Sequence, residues 1–530
     1  MNDDEHEGPV SFTTWLGFTA MCVGMFMAIL DIQIVASSLP NISGALKIPE
    51  DRLSWIQTCY LISEIIAIPL TGFLTRAFSV RWLFAGATLG FTLASIGCAA
   101  STGFAMLVAF RTIQGFFGGA LIPAVFTAVF EIFPRRQHPL ATVFAGTFAM
   151  LAPTVGPVFG GYLTQTFSWH AIFLINVVPG LPVAALVALY IRHDEPDIRE
   201  LKRIDYATVV LAAVFLASLE LLLKQAPKQH WHGAYIYGLL TVCLLALIAT
   251  VQQCLTRAAP FVHLRRFADK SFAIACALSF CLGLGLYGST YLLPLFLGFV
   301  RKHTALEIGE IMVVAGAAQL ISAPIAAILE PRINGWRLVT FGYVLFAAGV
   351  FADAFCDIHT DFTGLIVPQV LRGTGIMFCI LPSTRLAMEG WPEVQIPEAS
   401  ALFNLMRNLG GAIGIALVDT VVEQRTQGHV TALVRRLQAG DANTAREVGL
   451  PTAMFHGHAM GQVSGFVKDM IAPMLQRAAL TQSFNEAWLW LGGFFLLSLV
   501  ALSLTAPRAF TQRAYSARNE QDCALPHLHQ

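Results

Sequence analysis

The sequence predicts an all-α integral membrane protein. Of its 530 residues 56% are hydrophobic and only 12% are charged, whereas soluble domains carry about 25% charged residues. Apolar runs follow one another along the chain, and each reaches the ~20 residues that a helix needs to cross a hydrocarbon core of about 30 Å. The formal net charge of zero gives no indication of a nucleic-acid partner.

Fourteen apolar windows are predicted to span the membrane. In chain order they cover residues 15–39, 53–75, 82–101, 104–133, 140–163, 170–191, 205–223, 234–254, 272–299, 305–329, 337–356, 362–388, 398–425 and 484–506. The even number places both termini on one side. Lys and Arg are concentrated in the loops that share this side, so the positive-inside rule predicts a multi-pass protein of the cytoplasmic (inner) membrane with both termini in the cytoplasm.

An internal repeat relates the two ends of the chain. Pro40 and Pro294 lie 254 residues apart, and Gly156 and Gly410 are separated by the same 254 residues. Arg111 in "RTIQG" and Arg372 in "QVLRGTG" match at a similar spacing of 261 residues. Spans 1–6 then correspond to spans 9–14, with spans 7 and 8 as an inserted pair. Repeats of this kind in membrane transporters form two bundles with the substrate site near the midplane.

The predicted organisation has five parts. These are a cytoplasmic tail 1–14, a six-helix bundle 15–200, an inserted helix pair 201–260, a second six-helix bundle 261–506 with an extracytoplasmic segment 427–481, and a cytoplasmic tail 507–530.

Three segments carry a family resemblance. They are "LDIQIVASSLP" in span 1, "RTIQG" in span 4 and "APTVGPVFGGYL" in span 5. They resemble the major facilitator superfamily, specifically its fourteen-helix drug:proton antiporters of the EmrB/QacA type. The resemblance implies the major facilitator fold and proton-driven export of hydrophobic or amphipathic toxic compounds by alternating access. The alternative is a dedicated exporter of one metabolite, such as a sugar, amino acid, siderophore or lipid-like product.

The resemblance also assigns motif residues. The span 4 motif comprises Arg111, Gln114 and Gly115, and the antiporter motif of span 5, implied to act in gating, comprises Pro153, Gly156, Pro157, Gly160 and Gly161. The loop between spans 2 and 3 contains the counterpart of the family's gating sequence, with Gly72, Arg76 and Arg81, but it departs from the family pattern. Here Arg76 stands where the family has an acidic residue, and Ser79 replaces a glycine. We therefore treat this gating sequence as degenerate.

Asp31 is the sharpest single feature of the sequence. A carboxylate within a span costs about 2.5–3.5 kcal/mol on insertion scales, so such residues face a cavity or a partner. Counted from the outer end of each span at about 1.5 Å per residue, Asp31 lies about 13 Å deep and Arg111 about 12 Å deep. Equal depth makes Arg111 a plausible partner. The pair is interpreted either as a proton-coupling device, as the resemblance implies, or as a static ion pair.

Other intramembrane polar residues have open roles. Glu64 is a candidate for proton coupling, for binding a cationic or amphipathic substrate, or for a structural hydrogen bond. Arg372 and Arg407 are candidates for binding anionic groups or Glu64, or for helix contacts. Further candidates for the substrate cavity are Gln33, Tyr60, Tyr287 and Tyr291. The residues near span ends are expected at the membrane interface, namely Glu131, Glu220, Asp353, Arg385 and Asp419.

Partners and cofactors complete the prediction. No nucleotide, redox or metal motif occurs in the sequence, so no cofactor and no metal site are expected, and the proton gradient is the energy source. Substrates are small molecules, and the remaining surface contacts lipid. The segment 427–481 contains apolar residues at helical spacing. It is interpreted either as a docking site for a periplasmic membrane-fusion protein and its outer-membrane channel, as the resemblance suggests, or as an amphipathic helix at the interface.

Overall fold

The computed structural model describes residues 11–503 except 135–136, 192–195, 197, 204, 230, 258–259, 261, 331, 389–390, 392–395 and 451–464. Most of the two predicted cytoplasmic tails and the middle of segment 427–481 thus lie outside the described residues. Throughout the described part the regular elements are helical, without a strand. They are α1 Phe12–Leu46, α2 Trp55–Ala99, α3 Phe104–Ile132, α4 His138–Thr166, α5 Ala171–Leu174, α6 Val177–Tyr190, α7 Tyr206–Lys228, α8 Ala234–Thr256, α9 Lys270–Leu295, α10 Ala305–Leu329, α11 Gly335–Asp353, α12 Phe362–Met388, α13 Ile396–Gln438, α14 Ala442–Val448 and α15 Gly465–Ser503.

The helices account for fourteen membrane crossings. In the described chain, thirteen helical segments are long and apolar enough to cross a membrane. One of them contains α2, whose 45 residues would extend about 68 Å as a straight helix, roughly twice a hydrocarbon core. It bends at Ser79, where φ is 65° and ψ is 156°, and so supplies spans 2 and 3. The predicted all-α membrane fold is confirmed.

The crossings define two faces of the bundle. We call the face on which α1 begins the N-terminal face and the other the opposite face. Because successive crossings alternate in direction, α15 ends on the N-terminal face. Span 6 was predicted as one helix, but the structure divides it into α5 and α6, with Asn176 at the break.

Helix packing follows the internal repeat. In the first half α1 packs against α4, and in the second half the corresponding α9 packs against α13. Between the halves, α4 packs against α10 and α13 packs against α2. The helix carrying Gly156 and the helix carrying Gly410 therefore have equivalent positions. The inserted α7 and α8 pack on each other, and α7 also contacts α13 and α2.

The described parts of segment 427–481 form a helical cluster. The 43 residues of α13 would extend about 65 Å, well beyond one membrane crossing. Its last turns pack against α14 and the start of α15 through Leu433, Leu437, Ala445, Val448 and Leu475. The interpretation of this segment as an amphipathic helix lying on the interface is therefore wrong for the described residues, because its apolar side is buried against other helices.

Candidate functional site

A large cavity lies between the two halves of the described structure. Its volume is about 1210 Å³, above the ~300–1,000 Å³ typical of small-molecule pockets. Its mouth is at the N-terminal face, where charged side chains from both halves line it, namely Arg76, Glu131, His263, Glu330 and Arg385. It ends near mid-membrane, where the lining includes Gln33, Glu64, Tyr287, Arg372 and Arg407.

Beyond the cavity, the halves meet toward the opposite face. Gly298, just after α9, lies against the ring of Pro40 in α1. Ser54, which precedes α2, donates a hydrogen bond of 2.9 Å to Oδ2 of Asp419 in α13, and Tyr291 of α9 donates one of 2.7 Å to Oδ1. Asp419 therefore joins the first half of the chain to the second. The cavity is accessible from one face of the bundle only.

Asp31 lies in a fully buried polar network beside this cavity. Its Oδ2 pairs with Nη1 of Arg111. Its Oδ1 accepts hydrogen bonds from the side-chain amides of Gln114 at 3.0 Å and Asn176 at 2.9 Å. Ser95 accepts a second hydrogen bond from each amide, at 2.7 and 3.2 Å respectively. Three donors, two from α3 and one from the break between α5 and α6, thus solvate the carboxylate in place of water, as a buried charge requires.

Arg111 is held by more than its ion pair. Its Nε donates to the carbonyl of Ile56 at 3.1 Å, and its Nη1 also donates to Oε1 of Gln114 at 2.7 Å. The guanidinium lies 4.4 Å from the centroid of the Tyr60 ring, in a cation–π contact. Gly115 allows this arrangement, since a Cβ there would come within 2.8 Å of the Tyr60 Cα.

Tyr60 and Tyr291 lie outside the cavity lining, so their prediction as cavity residues is wrong. Tyr60 is buried against Arg111, and its hydroxyl donates to the carbonyl of Ala28 at 3.3 Å. Tyr291 is fully buried and is engaged by Asp419. Each phenol has found a polar partner inside the protein, which is how buried tyrosines satisfy their hydroxyl groups.

Glu64 faces the deep end of the cavity. It is 3% exposed, and Arg407 and Asn408 of α13 act on it across the interface between the halves. Within the described chain its Oε2 has no hydrogen-bond partner. Arg407 donates to Oδ1 of Asn404, and Tyr287 donates to Oδ1 of Asn408 at 3.3 Å. A carboxylate, a guanidinium and several amides therefore meet at the deep end of the cavity.

Among the roles left open for Arg372, the structure shows a contact between helices. Arg372 pairs with Asp353 of α11 at 3.1 Å rather than with Glu64. Three acidic residues expected at the interface are buried, since Asp353 is 0%, Glu220 3% and Asp419 7% exposed. The interfacial prediction is wrong for these three residues. The repeat that relates Arg111 to Arg372 was the feature of the sequence that could have indicated a buried carboxylate partner for Arg372.

The antiporter motif lies along α4 between α1 and α10. Pro153 and Pro157 line the cavity. A Cβ on Gly160 would come within 2.8 Å of the Ile34 backbone in α1, and one on Gly161 within 2.8 Å of the Leu306 Cα in α10. The glycines thus allow α4 to approach both halves closely.

The degenerate loop sequence lies at the cavity mouth. Gly72 and Arg76 line the cavity, and the guanidinium of Arg81 lies 4.6 Å from the Trp82 ring centroid. Ser79 has the backbone angles of a region occupied almost only by glycine. The family's glycine at this position therefore has a conformational reason.

Comparison with known proteins identifies the family. The model described as "Major Facilitator Superfamily" matches residues 21–415. The chain belongs to the Major Facilitator Superfamily. It is 35% identical to the colistin resistance protein EmrB of Acinetobacter baumannii, over 89% of this chain and 93% of that protein. It is 29% identical to the multidrug export protein EmrB of Escherichia coli K12, over 91% and 93% of the two chains, which supports placing it in the EmrB branch of the superfamily.

Other relatives widen the comparison. The fatty acid resistance protein FarB of Neisseria gonorrhoeae is 28% identical, over 86% of this chain and 90% of its own. Among solved structures, an inward-facing, unoccupied bacterial homologue of the human lysosomal transporter Spinster has a TM-score of 0.63 at 12% identity, covering 95% of this chain and 99% of that one. This structural likeness shows the shared fold.

Proposed function

We propose that this transporter is a proton-driven exporter of hydrophobic or amphipathic toxic compounds in the cytoplasmic membrane, with both termini in the cytoplasm. The observation that carries the proposal is the cavity of about 1210 Å³, which lies between the halves and is accessible from the N-terminal face only. In the proposed orientation it takes up substrate from the cytoplasm or the inner leaflet. Rocking of the halves would then close the mouth and open the opposite face.

Relatives support this choice of substrate. The printed names of three matched proteins refer to multidrug export, colistin resistance and fatty acid resistance. These compounds share an amphipathic character. The cavity offers a mainly apolar wall with a few polar groups at its deep end, which suits such molecules.

Asp31 is the proposed proton carrier. The ionised carboxylate accepts three hydrogen bonds in the present arrangement. A proton on Asp31 removes its charge, so the attraction that holds Arg111 is lost and the donors must reorganise. Because these donors come from α3 and from the α5–α6 break, proton uptake alters how α1 packs on its neighbours. Glu64 is proposed to contact the substrate or to carry a second proton.

Asp31→Asn tests the proton-coupling role. We expect at least a tenfold loss of efflux of ethidium, tetraphenylphosphonium and octanoate from proteoliposomes driven by a pH gradient, because the amide cannot titrate. Asp361→Asn is the matched control, since Asp361 lies on the exposed opposite face and should retain efflux. Full pH-driven efflux by an inserted, folded Asp31→Asn protein would contradict the proposal. Export of one compound alone across a broad panel would favour the dedicated exporter.

We further propose that the helical cluster formed by the end of α13, by α14 and by the start of α15 binds a membrane-fusion protein that leads to an outer-membrane channel. The cluster projects beyond the opposite face with Arg435 and Arg436 exposed. A photo-crosslinker at Arg435 should link to a co-expressed fusion protein, whereas one at the lipid-facing Leu245 should not. Equal labelling at both positions would contradict specific docking.

A further inference from the structure

The second half of the chain contains its own buried carboxylate–guanidinium pair. Asp353 of α11 and Arg372 of α12 are 0% and 4% exposed, and their Oδ2 and Nη1 atoms lie 3.1 Å apart. The guanidinium lies 5.5 Å from the ring centroid of Trp488 in α15, a further cation–π contact. Arg372 corresponds to Arg111 in the internal repeat, so each half has one such arginine.

The two pairs differ in how completely they are hydrogen-bonded. Asp31 accepts hydrogen bonds from three side chains, and both of its oxygens are engaged. Asp353 is bonded by Arg372 through Oδ2 alone, and among the described residues no group donates to its buried Oδ1. Nε of Arg372 likewise has no acceptor there. A buried anion with an unsatisfied oxygen is poorly stabilised, and a proton on that oxygen removes the charge.

The location of the pair connects the opposite face to the cavity. Asp353 is the last residue of α11, which ends at the opposite face. Arg372 lies ten residues into α12 from that face, about 15 Å by helical rise, and lines the cavity. The chain after Asp353 folds over it, since Asn485 of α15 donates to the carbonyl of Cys356 at 2.7 Å.

Few charged groups act on this carboxylate. The residues acting on Asp353 are Arg372 from α12 and, beyond the end of α11, the thiol of Cys356. Helix α15 contributes the neutral ring of Trp488. The charge state of Asp353 is therefore governed first by its burial and then by its pairing with Arg372.

We propose that Asp353 is a second proton-carrying carboxylate and that its protonation releases Arg372 to the cavity. This rests on the proposed function and adds one proton to each transport cycle. One proton passes from water at the opposite face to Oδ1 of Asp353, and the same proton leaves to water on the N-terminal face when the pair forms again. An unpaired buried guanidinium is costly, so the released Arg372 must be compensated by cavity water or by an anionic group of the substrate.

Infrared spectroscopy on the purified protein tests the titration without any substrate. We expect acidification of the wild-type protein to produce the C=O band of a carboxylic acid that Asp353→Asn lacks and Asp353→Glu shifts. Because Asp353→Asn leaves Arg372 buried without a counter-charge, the double variant Asp353→Asn/Arg372→Gln provides a neutral pair of similar shape. Asp361→Asn is the matched control and should keep the Asp353 band. The same Asp353 band in Asp353→Asn or the double variant would overturn the proposal.

Proton stoichiometry provides the second readout. With the membrane potential clamped at zero, the logarithm of the ethidium gradient is measured against the imposed pH difference. The slope of this plot gives the number of protons exchanged per ethidium. In the double variant Asp353→Asn/Arg372→Gln we expect this number to fall by about one. An unchanged slope would overturn the proposal. If the wild-type protein exports nothing under a pH gradient, the proposed function fails, while the infrared band still decides whether Asp353 titrates.

Discussion

Ser79 offers a quantitative test of the backbone at the kink in α2. Its φ of 65° and ψ of 156° fall in a region that costs a non-glycine residue about 1–3 kcal/mol. Its hydroxyl accepts a hydrogen bond of 3.5 Å from the backbone N–H of Trp82, in the manner of a helix N-cap. The substitution Ser79→Gly removes both the strain and the cap.

The expected magnitude follows from three contributions. Relief of backbone strain stabilises the folded state by about 2 kcal/mol, the middle of the range for such conformations. Glycine loses more conformational freedom on folding, which costs about 0.5–1 kcal/mol. Replacing a serine N-cap by glycine costs only a few tenths of a kcal/mol. Ser79→Gly should therefore raise the free energy of unfolding by about 1 kcal/mol, the sum of these terms.

The measurement is an SDS titration of the purified protein in mixed micelles. Ser498→Gly is the matched control, because Ser498 is partly buried within α15 and its hydroxyl bonds to its own helix at the Phe494 carbonyl. That control should lose about 1 kcal/mol. Ser79→Ala should be less stable than wild type, because it keeps the strain and lacks the cap. If Ser79→Gly is destabilised as much as Ser498→Gly, the strain argument is refuted.

Two further predictions concern helix contacts, one between the halves and one between α1 and α4 within the first half. Asp419→Asn leaves a single side-chain oxygen to accept hydrogen bonds from both the Tyr291 and Ser54 hydroxyls. We therefore expect the two halves to separate more often at the opposite face. Spin labels at the exposed positions 52 and 427 should then show a larger population of long distances, and an unchanged distribution would argue against this contact. Gly160→Ala places a Cβ 2.8 Å from the Ile34 backbone and should cost about 1–3 kcal/mol in the same SDS titration. A Cβ added at Gly146 has nothing within 4 Å, so Gly146→Ala should raise the free energy of unfolding by about 0.5–1 kcal/mol. An equal loss of stability in Gly146→Ala and Gly160→Ala would count against the packing explanation.

The membrane spans and one polar pair were predictable because they depend on local sequence. Hydropathy depends on window composition alone, so it located the crossings, including both halves of α2. The depths of Asp31 and Arg111 could be counted from the ends of their helices at a fixed rise per residue. The third donor to Asp31 was missed. Pro179 in "FLINVVPG" cannot donate to the carbonyl of Ile175 and so signals a helix break, but the segment does not show that this break turns Asn176 toward Asp31.

Asp353 and Asp419 show why distance from a span end is a poor guide to burial. Asp353 ends its helix but is covered by the following loop, which Arg301 and Arg477 hold at the carbonyl of Ile358. Asp419 lies near the predicted end of span 13, but α13 continues to Gln438. In both cases the cover comes from segments distant in sequence, which no hydropathy window contains.

Hydrogen-bond satisfaction, more than charge, distinguishes the carboxylates of the two halves. In the proposed mechanism, protonation of Asp31 removes the charge that three bonded donors stabilise, so proton uptake would require neighbouring elements to move and would thereby be coupled to a conformational change. Asp353 has one bonded partner and an open oxygen, so it can titrate with less rearrangement. A transporter built on these two pairs would tie one proton tightly to rocking of the halves. It would use the other to change the charge of the cavity wall at Arg372.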